Sequence, residues 1–195
     1  MVNEGNAGRG QTSGLPEGDA IRILLEQHAR IRELFTDVKS ARGEHKQHAF
    51  DELRALLAVH ETAEEMVLRP VARETAGAEE ANARNHEEEQ ANEVLLKLEK
   101  MTIDSRDFDR TFLEFEQAVL AHAAREENEE FPAVRAGRNE AQLKRMGTML
   151  KAAERVAPTH SHPGAAGKPA AQWAVGPFAS LVDRTRDAIN GASPH

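Results

Sequence analysis

The chain has no cysteine and no tyrosine among its 195 residues. Without cysteine there are no disulfides, no thiolate nucleophile and no sulfur-based metal site, so imidazole and carboxylate are left as the strong metal ligands. Without tyrosine no phenolate can join them. Aromatics make up only 4% of the chain, so a core must be built from Leu, Val, Ile, Ala and a few Phe. No apolar run approaches the roughly 18 residues of a membrane span. Met1 to Gly18 contains no apolar segment of the kind that marks a secretory signal, and a cytoplasmic location is expected. The net charge of −8 argues against nucleic acid as the main partner. Nowhere does an alternating strand pattern persist.

Helical periodicity is what the sequence does contain. Asp19 is placed to cap a first helix whose apolar positions are Ile21, Leu24, Leu25, Ile31, Phe35 and Val38, with His28 inside the same stripe. A break at Ser40 to Glu44 precedes a second helix, from about Glu44 to Glu74, with a kink or an end expected at Pro70. A third runs from about Ala78 to Met101, with Ala83, His86, Gln90, Val94, Leu95 and Leu98 as expected inner positions. A fourth starts near Asp107 and carries the seam Phe108, Phe112, Phe115, Val119, His122, Glu126 and Glu130. Long helices joined by short loops predict an all-α fold, an antiparallel up-down-up-down four-helix bundle over residues 19–137. A disordered leader (1–18) precedes it. An additional helix (138–156), a Pro/Gly/Ala-rich linker (157–176) and a short amphipathic C-terminal helix with its tail (177–195) follow.

One motif occurs twice. His60-Glu61-Thr62-Ala63-Glu64-Glu65 and His122-Ala123-Ala124-Arg125-Glu126-Glu127 each read histidine, three residues, two glutamates, four residues and proline, with the copies offset by 62 residues. On a helix, positions i and i+4 share a face, so each copy aims an imidazole and a carboxylate the same way. A histidine on an apolar stripe is ordinarily a hydrogen-bonded core residue, and a His-x-x-x-Glu pair is ordinarily an exposed one. Here Glu64 and Glu126 continue stripes of Leu and Phe, where an unpaired ionised carboxylate costs several kcal/mol. His28, His60, His86 and His122 fall one on each helix. Four imidazoles and two carboxylates at one level of a bundle make a metal site with pseudo-twofold symmetry. Two ions bridged by the glutamates suit this set better than one, and iron, manganese or zinc fits the ligand types. The remaining histidines, His45, His48, His160, His162 and His195, read as surface or linker residues.

This ordered pattern, His28, His60-x-x-x-Glu64, His86 and His122-x-x-x-Glu126 followed by Glu-Glu-Phe-Pro at 129–132, resembles the hemerythrin-like, or HHE cation-binding, family over about Asp19 to Arg138. The resemblance implies a four-helix bundle holding two iron ions, bridged by the two glutamates and an oxo or hydroxo group. Its metal ligands would be His28, His60, Glu64, His86, His122 and Glu126. The ferritin-like di-iron proteins look different, because they need Glu-x-x-His pairs; the residues three before the four histidines are Leu25, Leu57, Ala83 and Val119. Oxygen-carrying hemerythrins have a further histidine one turn along the third helix, where this chain has Gln90. That departure argues against simple oxygen storage and suggests a hydrogen bond from Gln90 to a bound oxygen species. Glu89 and Glu93 are the nearest carboxylates to fill the gap.

The expected function is a di-iron protein that binds or reacts with a small diatomic or peroxide ligand. Oxygen or nitric oxide sensing and a catalase- or peroxidase-like decomposition of peroxide are the reactions in view, with Leu24, Leu56, Phe112 and Phe115 expected to wall the pocket. The alternatives are a non-catalytic iron-binding module for buffering or sensing, and a metal-free helical interaction protein. A protein partner, or self-association, through the C-terminal helix is part of the expectation.

Overall fold

A computed structural model of the chain describes residues 14–156. The leader up to residue 13, the linker and the terminal amphipathic helix lie outside the described residues. Among the described residues, seven helices and two π-helical turns follow one another: α1 (Ala20–Ser40), α2 (Gly43–Ala63), a π-turn (Glu64–Leu68), α3 (Arg69–Thr75), α4 (Ala78–Leu98), α5 (Arg106–Arg125), a second π-turn (Glu126–Glu130), α6 (Phe131–Gly137) and α7 (Glu140–Val156). No strand occurs among the described residues. α2 runs through its π-turn into α3, and α5 through its own into α6, so four long helical rods form the bundle.

The starts and stops are local chemistry. Asp19 accepts a hydrogen bond from the Ile21 N–H at 2.8 Å and caps α1. Ser105 does the same for Phe108 at 3.1 Å on α5. Gly43 opens α2 with φ +56°, a conformation that suits glycine, and its N–H donates to both carboxylate oxygens of Asp104. That contact ties the α1–α2 turn to the α4–α5 turn at one end of the bundle. The leader is ordered sooner than expected: Leu15 packs on the core, and its carbonyl accepts from Arg22 at 3.2 Å.

The two prolines neither end nor sharply break their helices. A proline in a helix lacks the N–H for the i−4 bond, and its ring clashes with that carbonyl. Just before each proline the chain widens into a π-turn: Arg69 N–H reaches back to Glu64 O, and Phe131 N–H to Glu126 O, both five residues earlier. The first residue of each widened turn is a glutamate of the repeated motif.

The apolar interior falls into two parts. At one end, Ile31, Leu34, Phe35, Phe50, Leu53, Leu57, Phe108, Phe112 and Phe115 form a cluster with ring centroids 5.2–6.4 Å apart. At the other, Ile21, Leu24, Leu25, Met66, Leu68, Val71, Phe131 and Val134 pack with Leu143, Met146 and Leu150 of α7. α7 therefore completes the second cluster by lying on α1 and α2. On the α1, α2–α3 and α5–α6 rods, buried polar residues lie between these two clusters.

Docking of α7 depends on Gly147. A Cβ built there would lie 2.0 Å from the Gly18 carbonyl oxygen and 3.1 Å from Ile23 Cδ1. Gly147→Ala is expected to destabilise the fold by about 1–3 kcal/mol, the range for overpacking. Thermal melts of the two proteins compare this directly, and an unchanged midpoint contradicts the close approach.

Candidate metal centre

Glu64 and Glu126 face each other in the middle of the bundle, both fully buried. Each directs one oxygen to either side. On the first side His60 Nε2 lies 3.5 Å from Glu64 Oε1, and His28 Nε2 lies 3.4 Å from Glu126 Oε2. On the second, His122 Nε2 lies 3.2 Å from Glu126 Oε1 and 3.6 Å from Glu88 Oε1. Two sets of donor atoms result, His28–His60–Glu64–Glu126 and Glu64–Glu88–His122–Glu126, each drawn together within 4.8 Å. They share the two glutamates.

All three imidazoles are held by the nitrogen that faces away from the centre. His28 Nδ1 donates to Glu127 Oε1 at 2.8 Å, a carboxylate that Arg32 also grips at 2.7 Å. His122 Nδ1 donates to Glu87 Oε2 at 3.0 Å, and Arg125 and Arg84 fix that carboxylate at 2.9 and 3.2 Å. His60 Nδ1 donates to Gln27 Oε1 at 2.7 Å, and Gln27 Nε2 in turn donates to Glu154 of α7 at 2.6 Å. That last bond turns the amide so that its oxygen meets the imidazole. Imidazoles anchored in this way aim Nε2 inward, and each offers a lone pair there once that nitrogen gives up its proton, which is how metal-binding histidines are oriented. At His28 and His60 the two Nε2 atoms are 3.1 Å apart. Two lone pairs at that distance repel unless a proton or a cation lies between them. Neither carboxylate oxygen of Glu64 has a hydrogen-bond partner, nor does Glu126 Oε2. Orphaned buried acceptors are costly, and a cation at this point would satisfy them. The residues present therefore fit a bound metal.

His86 stands outside both sets. Its side chain is 68% exposed, near Glu89 at 3.8 Å, and its Nε2 is 3.0 Å from Gln90 Nε2. The inward stripe of α4 is Ala81, Arg84, Ala91 and Leu98, with the largely buried Glu88 between them. His86 is two residues from both Arg84 and Glu88, roughly 160° around the helix from each. Gln90 is exposed too, so it is not aimed at the centre, and Glu88 rather than Glu89 or Glu93 supplies the carboxylate from this helix. Apolar periodicity could not reveal this face, because its inner positions carry an arginine and a glutamate.

A small cavity of about 30 Å³ adjoins the three imidazoles, lined on its apolar side by Ile31, Leu57, Ala91, Val119 and Leu120. None of Leu24, Leu56, Phe112 or Phe115 lines it; Leu24, Phe112 and Phe115 belong to the apolar clusters on either side. Glu61 does line it, with one carboxylate oxygen accepting from Asn92 at 2.9 Å. That volume is about what one water needs.

A profile of the hemerythrin HHE cation-binding domain matches residues 19–134. The chain belongs to this family. It is also similar to an uncharacterised hemerythrin-like protein of Schizosaccharomyces pombe, 26% identical over 168 residues that cover 84% of this chain and 83% of the relative. Its fold is similar to the crystal structure of a hemerythrin HHE cation-binding domain-containing protein from Mycobacterium kansasii. The TM-score is 0.65 at 22% identity, over 86% of this chain and 98% of the other. The HHE domain match ends at residue 134, so α7 and its Glu154 contact to Gln27 lie beyond it.

Without a cation, protons balance the charge of the HHE centre. Burial pushes the Glu64 carboxyl well above the carboxylate range, and the charge of Glu126 adds to it. Burial acts on Glu126 the same way, but His122 and His28 outweigh it and hold it low and ionised. Burial raises Glu88 and Glu130 to about 7 despite Arg69. Burial alone would lower His122, but the charge of Glu126 and its hydrogen bond prevail and lift it to about 9. Burial, with His28 beside it, keeps His60 low and neutral.

His122 has a clear sign. Its folded value of about 9 lies above the ordinary 6.5, so its stabilisation is fully present below pH 6.5 and lost as pH rises through 9. The metal-free protein is expected to melt several degrees lower at pH 9.5 than at pH 6.5. His122→Gln is expected to flatten that slope, and equal slopes in the two proteins would contradict the assignment.

Proposed function

We propose that this HHE domain is a non-haem di-iron protein that binds or reacts with a small ligand, namely oxygen, nitric oxide or peroxide, in gas or redox sensing or in peroxide detoxification. One observation carries the reading: two donor sets that share Glu64 and Glu126 open onto a small, mostly apolar cavity. His28 and His60 with the two glutamates would hold one ion, and His122 and Glu88 with the same glutamates the other. Mixed imidazole and carboxylate donors with free positions suit iron or manganese. Bound iron would supply reversible electron transfer and an open position for the small ligand.

The chain's own residues do the rest. Glu127, Gln27 and Glu87 fix the three imidazoles and leave Nε2 bare. Ile31, Leu57, Ala91, Val119 and Leu120 keep bulk water from the cavity, which strengthens every charge interaction inside it. Glu61, held by Asn92, places a carboxyl beside any ligand bound there. No helix among the described residues is long and apolar enough to cross a membrane, and a cytoplasmic setting accords with the absence of cysteine pairs.

A second reading has its own support. Glu64 is buried with neither oxygen hydrogen-bonded, so metal uptake would contribute folding energy, as in a non-catalytic module that buffers or reports iron.

Two measurements test these readings. Protein from iron-replete growth is expected to contain iron and to absorb in the near ultraviolet, where an oxo-bridged ferric pair absorbs. Glu64→Gln and His60→Ala are expected to lose the metal. A spectrum that responds to oxygen, nitric oxide or peroxide supports the first reading. A raised melting temperature with iron but an inert spectrum supports the second. Metal-free preparations that take up no iron defeat both.

A further inference from the structure

The two halves of the centre are not equivalent, and the difference is visible in the 62-residue repeat. Phe131 follows the second motif at the position that Arg69 holds after the first. The Phe131 ring stacks on His28 with centroids 5.6 Å apart and planes at 22°. It gives the His28–His60 side a neutral, apolar backing. Arg69 brings a buried guanidinium to the other side.

That guanidinium is anchored and aimed. Nη1 donates to both oxygens of Glu130, at 2.9 and 3.1 Å. Nη2 contacts Glu88 closely and lies 3.4 Å from Glu126 Oε1 and 3.8 Å from Glu64 Oε2. Glu88, Glu126 and Glu64 are the three carboxylates of the second donor set. Arg69 thus applies its positive charge to the oxygens that a second ion would use. No guanidinium reaches the first set: its two histidine nitrogens meet only each other, 3.1 Å apart, and Glu64 Oε1 and Glu126 Oε2 have no hydrogen-bond partner.

We propose that the centre fills in a fixed order. The first ion enters the His28–His60–Glu64–Glu126 set, while the Arg69 guanidinium serves as the resident cation of the His122–Glu88 set. A second ion binds only by drawing Glu88, Glu126 and Glu64 away from Arg69, which then pairs with Glu130 alone. This order rests on the metal-centre reading above and adds to it an inequality set by one side chain. It follows from charge: two cations cannot share three carboxylates at this range without strong mutual repulsion. Removing a partner from a buried ion pair is also costly.

Anaerobic titration of the metal-free full chain with Mn(II), followed by electron paramagnetic resonance and calorimetry, tests the order. At one equivalent the spectrum is expected to be that of isolated ions, with the second ion weaker by on the order of tenfold or more, the scale on which changes in the groups that hold a metal's ligands alter its affinity. Spin-coupled pairs at one equivalent, with the rest of the protein empty, would overturn the order and leave the two-ion reading intact. Saturation at a single isolated ion supports the order and removes the two-ion reading. No binding at all defeats both. His60→Ala is expected to lose the first ion, whereas Glu88→Gln is expected to keep it; the reverse result overturns the proposal. Arg69→Gln retains hydrogen-bond donors and is expected to narrow the gap between the two affinities. If that variant does not fold, the wild-type titration decides alone.

Discussion

Two carboxylates held face to face in a dry interior set the terms for this molecule. Glu64 and Glu126 are fully buried between two apolar clusters, one rich in phenylalanine and one sealed by α7. Such a pair cannot stay doubly ionised without positive charge beside it. Every feature of the surrounding shell answers that demand. Three imidazoles turn Nε2 inward, Arg69 reaches in from α3, and protons reside on Glu64 and His122 where no other cation does. The apolar clusters keep the four rods in register, so the polar layer is held at one depth.

The layer is reinforced from outside by a set of paired charges. Glu127 with Arg32 fixes His28, and Glu87 with Arg125 and Arg84 fixes His122. Gln27, turned by Glu154, fixes His60. The third arrangement uses a neutral amide where the other two use carboxylates. A carboxylate beside His60 would add negative charge next to Glu64, whereas an amide orients the ring without doing so. It also makes the helix that follows the family domain part of the support for the centre.

Most of the fold was legible in the sequence, because α1, α2 and α5 bury regular apolar stripes and their caps and breaks are conventional. The repeated His-x-x-x-Glu motif points to His60, Glu64, His122 and Glu126, and the apolar stripe of the first helix to His28; the structure brings the five together. α4 was the exception. Its inward face is Ala81, Arg84, Glu88 and Ala91, so hydrophobic periodicity gave no reliable phase, and His86 was assigned inward when it lies on the outer face. Glu88 was hidden within a run of three glutamates that resembles a solvated surface. Arg69 carries no sequence signal of its burial beyond its alignment with Phe131 in the repeat. The prolines signal a kink or a helix end, and the widened turns that accommodate them cannot be inferred from composition.

Those widened turns constrain how the chain can vary in length. Each inserts one residue relative to an ordinary helix, beginning at a glutamate of the repeated motif. Loss of a single codon between Glu64 and Pro70, or between Glu126 and Pro132, would close the turn and rotate the rest of the rod by about 100°. Arg69 or Phe131 would swing off its target, and α3 or α6 would present the wrong face to its neighbour. The connections at 41–42, 76–77 and 99–105 carry no such constraint. Natural gaps and insertions should therefore gather in the connections, and the spacing from each motif glutamate to its proline should be a fixed ruler in the lineage of this protein.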